Sequence, residues 1–511
     1  MATLPELVQQ GLAAHRAGDH EGAARAYGAV LQVQPQHVGV LHLSGLLAHQ
    51  QGDHPQALAR IERALRLQPG AARIHTSHGR VLMALQEHAR ARTAFETALR
   101  LQPDLADARL HLARLSLKNG ALDSARTLLD GLLETAPDHV EGRQDRARLA
   151  RLQEDHTTAD ADLAHWARLR PLDLTPVVTA GMLAYERGED EQAMVWMQQA
   201  RQRRLQQPGR RDVTVPTKLQ HDIQQLVWLR DRGALPTDQA DRAIEAYSLV
   251  YRQLFGSPDA PAAAPKALQP LSELQKKVLQ PWYLQPHHVP PCAAEPGGAL
   301  NPALSRAAIL AQWHEQAPGL AVLDGLLKPT VRHRLWEWCH SATIWSDFTY
   351  TGGYIGASIA DGFFNPLILQ ISRELRALLP ELFDDAPLRQ AWAYKYAPRL
   401  QGINPHADAA AVNVNFWIAP DEANRDPDTG GMVVYLREAP LDWDFEAFNN
   451  DPARLMKLIR DENIPPIRVP HRCNRALVFN ADLIHATDEL HFGPRYEDRR
   501  INVTMLFGSR S

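Results

Sequence analysis

Cysteine is scarce: Cys292, Cys339 and Cys473 are the only three in 511 residues. Three scattered thiols exclude a disulfide framework and a cysteine-based structural zinc site. They suit a reducing compartment, so a cytoplasmic location is expected. Long apolar runs are missing too. None approaches the ~18 residues that a membrane helix needs. The opening MATLPELVQQGLAAHRAGDH has no basic stretch followed by an apolar one, so no signal peptide is expected. Nor does charge of one sign dominate. A net charge of −4 gives no argument for nucleic acid or an anionic membrane as partner. The remaining composition, 45% hydrophobic and 22% charged, is that of folded soluble chains. At ~150 residues per domain the length allows three or four domains.

What is present first is a period. Proline recurs at Pro35, Pro69, Pro103, Pro137 and Pro171, always 34 residues apart. Small residues keep the same register at Gly11, Gly45, Gly79, Ala113 and Ala147, and again at Ala23, Ala57, Ala91, Ala125 and Ala159. Gly181 and Ala193 start a sixth unit, but Leu205 stands where its proline belongs. Bulky residues lie between the small ones: Tyr27, Ile61, Phe95, Leu129, Leu163 and Met197. The pattern describes two antiparallel helices per unit, brought close by small residues. Gly18-Asp19, Gly52-Asp53, Asn119-Gly120 and Gly188-Glu189 mark the turns between them. One unit cannot bury its apolar face alone, so the units stack into a solenoid. Residues 4–207 resemble the tetratricopeptide repeat family in this spacing. The resemblance implies a concave groove for a peptide or protein partner. The other reading is a scaffold for self-association or for packing on the chain's own second half.

Residues 208–318 read as a helical and proline-rich linker region. The cluster Arg201, Arg203, Arg204, Arg210 and Arg211 is expected to belong to a solvated last helix, contact with an acidic partner being the alternative. Leu219, Ile223, Leu226 and Leu229 share one helical face, and a second helix is expected over 237–255. GSPDAPAAAPKAL (256–268) reads as a flexible linker and 281–298 as irregular. His287, His288 and Cys292 are too few to argue for a metal site.

From residue 319 the period is gone. Helices are expected near 329–342 and 366–380. Short β-rich runs follow at 391–396, 411–419, 431–436, 467–470, 476–480 and 501–507. This order suggests a β-sandwich or jelly roll with supporting helices. Three features carry chemistry. His406 and Asp408, two apart on extended chain, face the same side. His485 follows the 476–480 run in an expected turn. Arg500 opens the last run, sharing a face with Asn502 and Thr504. Two histidines and one carboxylate form the facial triad of non-haem Fe(II) oxygenases, which leaves three coordination positions open. A 2-oxo acid fills two of them and O2 the third. A deeper arginine can grip the far carboxylate of 2-oxoglutarate in bidentate fashion.

VLDGLLKP (322–329), YKYAPRLQGINPHAD (394–408), DTGGMVVY (428–435), NRALVFNADLIHATDEL (474–490) and RRINVTMLFG (499–508) resemble the 2-oxoglutarate/Fe(II)-dependent oxygenase superfamily, near its prolyl-hydroxylase-like branch. The resemblance implies a double-stranded β-helix (jelly roll) over 319–511 with His406, Asp408 and His485 as catalytic iron ligands. It implies Arg500 as the 2-oxoglutarate partner, Arg499 being the alternative. Tyr396 is either a cosubstrate contact or a core aromatic of the Trp392/Tyr394/Tyr396 stripe. Asn413 and Asn415 either face the cosubstrate or lie on a solvated strand side, and Asn415 is taken as a candidate contact. Fe(II), 2-oxoglutarate and O2 are the implied cofactors and cosubstrates, with ascorbate as an auxiliary reductant. The implied activity is hydroxylation of a protein or peptide recruited by the array. The alternatives are a repeat-based adaptor with a silent jelly roll, and an oxygenase of a small molecule or glycan. Gly430-Gly431 reads as a turn, TGGYIGAS (351–358) as a mobile lid, and Cys339 and Cys473 as core residues.

Overall fold

The computed structural model describes residues 3–256, 268–349, 353–383 and 386–510. Most of the expected 256–268 linker and the start of the 351–358 segment lie outside them. The chain forms two compact units, Met1–Pro171 and Leu172–Ser511. No helix among the described residues is long and apolar enough to cross a membrane.

The first unit is built of helix pairs whose first members have 13 residues and second members 14, from Leu4–Arg16 with His20–Val33 to Val140–Leu152 with His156–Leu169. The sequence sets these ends. Gly52 takes a positive φ of 80° as one helix stops, and the Asp53 carboxylate accepts the Gln56 N–H at 3.0 Å to start the next. The small residues act as the period predicts. A methyl group on Gly45 would lie 2.6 Å from Ile61, and one on Gly79 2.5 Å from Phe95. Each glycine thus seats the bulky residue 16 positions later, and Ala57, Ala91 and Ala125 are fully buried beside them.

The second unit opens with the sixth helix pair, Thr175–Glu186 and Asp190–Gln206. The arginines expected to be solvated are engaged instead. Arg201 donates to the Thr343 carbonyl at 3.4 Å, Arg204 to Asp361 at 3.3 Å, and Arg210 to the Ser346 carbonyl. Arg373 holds Asp190 at 2.7 Å and donates to the Tyr185 carbonyl at 3.0 Å. The expected linker is likewise packed. The helix Pro216–Asp231 buries Leu219, Leu226 and Leu229, but also Lys218, His221, Asp222 and Gln225. Helix Thr237–Phe255 buries Tyr247 and Tyr251, and Tyr283 and Cys292 are buried beyond it. Polar side chains turned inward, Lys218 and Asp222 paired with each other and Gln225 donating to the His340 carbonyl, hide this packing from a hydrophobic-face count. Lys395, buried and with its ammonium held well below the usual lysine range by that burial, donates to the Tyr496 hydroxyl at 2.6 Å beside His221.

Two large antiparallel sheets follow. Six strands run in the order Leu320–Leu323, Ala476–Asn480, Val412–Trp417, Ile501–Phe507, Leu388–Tyr396, Tyr354–Ser358. Four run in the order Pro466–Val469, Met432–Glu438, Leu483–Thr487, Ile403–His406. Alternation divides each strand. Ile501, Val503, Met505 and Phe507 pack outward with Leu335, Leu367 and Leu375 of the helices Pro329–Ser341 and Pro366–Leu378. Leu320, Trp417, Leu477 and Phe479 of the larger sheet meet Met432, Val434, Val469 and Leu483 of the smaller one. Two expectations change here. His485 lies inside a strand rather than a turn. Tyr354–Ser358 is a strand on Leu388–Tyr396 rather than a lid, because Gly356 lets the Tyr394 ring lie 2.7 Å from where a methyl group would be.

The repeat packing sets an expected outcome. Gly79→Val overpacks against Phe95 and costs about 1–3 kcal/mol, lowering the urea midpoint of the helical circular dichroism signal. Gly70→Ala, where no atom lies within 4 Å of the added methyl, leaves the midpoint in place.

Candidate metal centre

Cross-strand register assembles the site. His406 ends one strand and pairs directly with His485 on its neighbour. The chain then leaves the sheet. The Ala407 N–H donates to the Phe448 carbonyl and the Asp408 N–H to the Ala481 carbonyl, each at 2.9 Å. This turns Asp408 back toward the imidazoles. One ligand-capable atom from each of His406, Asp408 and His485 lies within 4.8 Å of the others. Among the described residues no other cluster of histidine, cysteine or acid does this. The His287, His288 and Cys292 group in particular does not assemble.

The second layer of contacts fixes the protonation. His406 Nδ1 faces the Asn404 carbonyl and His485 Nδ1 the Leu483 carbonyl, both at 2.9 Å. A carbonyl only accepts, so both Nδ1 atoms carry a proton and Nε2 is the ring atom each histidine has free for a metal ion. His485 Nε2 lies 3.5 Å from Asp408 Oδ2, which also accepts the Asn413 amide at 2.6 Å. Burial, and then the neighbouring His485, push the His406 imidazole below its ordinary value. Burial alone raises the Asp408 carboxyl, but His485, His406 and the Asn413 amide outweigh it and hold the group ionised. Two imidazoles on neighbouring strands and one carboxylate just beyond one of them can hold a divalent metal ion on one side and leave the other open.

From Asn413, which holds Asp408, a polar face runs along the larger sheet. Asn413, Asn415 and Trp417 alternate along one strand, and Thr504 and Asn502 pair with Asn415 and Trp417 on the next. Asn415 and Asn502 both direct amides at the Thr504 hydroxyl, each 3.0 Å away. At the far end Arg500 is 1% exposed. Its Nε donates to the Gly430 carbonyl at 2.7 Å and its guanidinium lies 4.7 Å from the Tyr396 ring centre. Arg499 points the other way, to Gln224 at 2.7 Å, and burial pushes its guanidinium down to about 10. Arg500 Nη1, Trp417 Nε1 and both ring nitrogens of His471 are buried without a hydrogen-bond partner among the described residues. The His471 ring lies 5.7 Å from that of Trp417, and burial, then Arg500, pushes it down to about 3. It is therefore neutral and carries one donor. Unpaired donors buried around an arginine are costly unless an anion or water meets them.

In front of the triad lies a cavity of about 500 Å³ lined by Trp392, Tyr394, Asn404, His406, Asp408 and Arg204. Of the residues expected together, the structure gathers His406, Asp408 and His485 into one cluster, while Arg500 is buried against Tyr396 and Trp417. Trp417 was missed, although extending the Asn413/Asn415 phase by two residues reaches it. His471 and Arg204 have no comparable signal. Gly430 and Gly431 do more than turn the chain, since their carbonyls accept from Arg500. Cys339 and Cys292 are buried, which raises both thiols and leaves them protonated.

Comparison with known proteins bears on the first unit. Tetratricopeptide repeat profiles match residues 8–72 and 82–153. No curated protein matches the chain. Among solved structures, PilW, a widely conserved type IV pilus biogenesis factor, is 20% identical over 38% of this chain and 91% of its own, with a TM-score of 0.36. A tetratricopeptide repeat protein from Parabacteroides merdae is 19% identical over 38% of this chain and 77% of its own, with a TM-score of 0.33. MamA of Desulfovibrio magneticus RS-1 is 18% identical over 33% of this chain and 95% of its own, with a TM-score of 0.30. The N-terminal region thus consists of tetratricopeptide repeats, a class that mediates protein–protein interaction.

The geometry sets a binding outcome. The chelator-treated protein is expected to take up one Mn(II) or Co(II) per chain. Asn413→Ala, which frees the Asp408 carboxylate, weakens that uptake by about 10–100-fold, and His485→Ala abolishes it. Equilibrium dialysis with metal analysis checks both.

Proposed function

We propose that the chain is a 2-oxoglutarate- and Fe(II)-dependent dioxygenase that hydroxylates a protein or peptide recruited by its repeat array. The observation that carries this reading is the convergence of His406, Asp408 and His485 on one point, with a buried guanidinium, Arg500, that keeps an unmet N–H at the end of the polar strand face that starts at Asn413. The two antiparallel sheets with a shared core also suit the jelly roll of that superfamily.

Fe(II) held by His406, Asp408 and His485, with 2-oxoglutarate as cosubstrate, supplies O2 activation and C–H hydroxylation. The chain's own part is to bind and orient. Nδ1 donation to the carbonyls of Asn404 and Leu483 keeps each imidazole's Nε2 available as a ligand. Asn413 holds Asp408 in place and keeps it ionised. Arg500, fixed through Nε to Gly430, offers Nη1 to the far carboxylate, and Trp417 Nε1 is a second donor beside it. Arg500 is preferred to Arg499, whose donors are taken by Gln224 and the Tyr396 carbonyl. Tyr396 forms a wall over the guanidinium. Asn415 donates its amide N–H to the Thr504 hydroxyl, which leaves its carbonyl oxygen without a partner as an acceptor. Trp392 and Tyr394 screen one side of the cavity from water. The repeat array supplies the protein-binding surface.

Iron-loaded protein is expected to convert 2-oxoglutarate to succinate without added substrate. Asp408→Ala abolishes this and Arg500→Leu raises the KM for 2-oxoglutarate by about 100-fold, since a charge-assisted pair is lost. Trp417→Phe raises it less. Failure of the wild-type protein to bind 2-oxoglutarate in the presence of Fe(II), measured by calorimetry, overturns the reading in favour of an adaptor. Recruitment is checked by removing residues 1–171. Succinate formation persists, and hydroxylation of the protein substrate is lost.

A further inference from the structure

The repeat array itself shows which partner chemistry it suits. Its first helices approach one another from repeat to repeat, Val38–Gln50 on Ala72–Ala84 on Ala106–Lys118 on Val140–Leu152, so they line the inner side of the first unit. Side chains bridge them directly. His42 meets the Ser77 hydroxyl at 2.8 Å, and Arg114 pairs with Asp145 at 2.5 Å.

This inner side is basic in the same period that builds the fold. Arg80, Arg114 and Arg148 recur at 34-residue intervals, one on each of three successive first helices. Arg80 and Arg148 are exposed and make no hydrogen bond or ion pair among the described residues. Acids nearby are few: Asp145 is spent on Arg114, while Asp107 and Glu141 sit in the first turns of their helices. Other arginines of these helices are already engaged elsewhere. Arg143 and Arg146 hold the buried Asp162 at 2.6 and 2.7 Å, and Arg109 reaches the Pro103 carbonyl at 2.5 Å. The ladder is electrically continuous. Arg80 lowers the affinity for protons of His49 in the preceding repeat and of His111 in the following one, where Arg114 adds to it. Burial comes first for both rings and pushes His111 down to about 4, so the arginines carry the charge.

We propose that the inner side of the array binds an extended acidic segment of a partner protein, with one carboxylate opposite each of Arg80 and Arg148, the two rungs on either side of the Asp145-paired Arg114. Packed helices lie about 10 Å apart and an extended chain advances about 3.3 Å per residue, so acids matching Arg80 and Arg148, two helices apart, stand about six residues apart, every second acid of a triplet repeat. Exposed guanidinium groups without partners favour carboxylates, which they meet in bidentate fashion. An extended strand presenting side chains to a groove is a recurring mode of peptide recognition.

The test uses the full chain and a fluorescein-labelled peptide of repeated Glu-Ser-Ser triplets, followed by anisotropy. Binding is expected, to weaken at least about tenfold in Arg80→Glu/Arg148→Glu and to fall steeply between about 50 and 500 mM salt. Arg66→Glu, an exposed charge on a second helix, leaves it unchanged. Arg80→Gln/Arg148→Gln, which removes charge without adding any, gives an intermediate loss and covers the case in which the reversal fails to fold. Equal binding of a Lys-Ser-Ser peptide, an equal loss in Arg66→Glu, or tighter binding of single-stranded RNA of matched charge overturns the proposal. These outcomes need neither iron nor 2-oxoglutarate, so they are independent of the chemistry proposed for the second unit.

Discussion

The pairing of His406 with His485 across two neighbouring strands is the constraint on which the site depends. Strand side chains alternate, so a slip of one residue would send one imidazole to the opposite face and dissolve the cluster. Several contacts hold the register. Thr487 pairs with Ile403 beyond a bulge, and His485 pairs on its other side with Val434. Two backbone hydrogen bonds fasten Ala407 and Asp408 to Phe448 and Ala481. Gly431 lets the strand beside it close: a methyl group there would lie 1.8 Å from the Val469 carbonyl oxygen. Its carbonyl and that of Gly430 are then positioned for Arg500. One backbone arrangement thus sets both the triad and the guanidinium.

The larger sheet has two faces with different tasks, and adjacent residues show it. Arg499 and Arg500 are both 1% exposed. The first joins Gln224 of the helix behind the sheet, and the second enters the interior beside Tyr396 and Trp417. Behind the sheet, Lys395 lies over the rings of Trp345 and Tyr496, at 4.4 and 4.5 Å from their centres. Burying so many charged groups costs stability unless each finds partners. Behind the sheet Arg499 and Lys395 find theirs in Gln224 and Tyr496. Within the interior Arg500 Nη1 and Trp417 Nε1 have none, which suits a site that takes up a polar ligand.

Much of this was legible because it obeys a period. A spacing of 34 residues and small residues in constant register specify the helix pairs, and Gly79 against Phe95 is the packing that pattern describes. The strands were legible from alternation, and the ligand set from residue type and order. The helix Pro216–Asp231 was harder, because its buried side includes Lys218, His221, Asp222 and Gln225. Lys218 and Asp222 pair with each other, and His221 and Gln225 find partners more than a hundred residues away, as when Gln225 donates to the His340 carbonyl at 2.9 Å. His485 looked like a turn residue because Asn480 and Asp482 precede it. Asp482 is instead buried with Arg510, a contact far along the chain. Long-range satisfaction of polar groups is what composition and period leave out.

The sixth repeat shows how a broken pattern carries information. Leu205 replaces the proline that closes earlier units, and it packs against the large core. Without that proline the helix Asp190–Gln206 runs for 17 residues, where the second helices of earlier repeats have 14. A proline ends a helix by removing a donor and clashing with the preceding turn. Its absence here adds most of a turn. That added turn carries Arg204, which pairs with Asp361 and lines the cavity in front of His406 and Asp408. The last repeat is therefore part of the second unit and contributes to the wall of its cavity. A boundary drawn after residue 207 would cut through that wall, whereas one drawn at Leu172 leaves it whole.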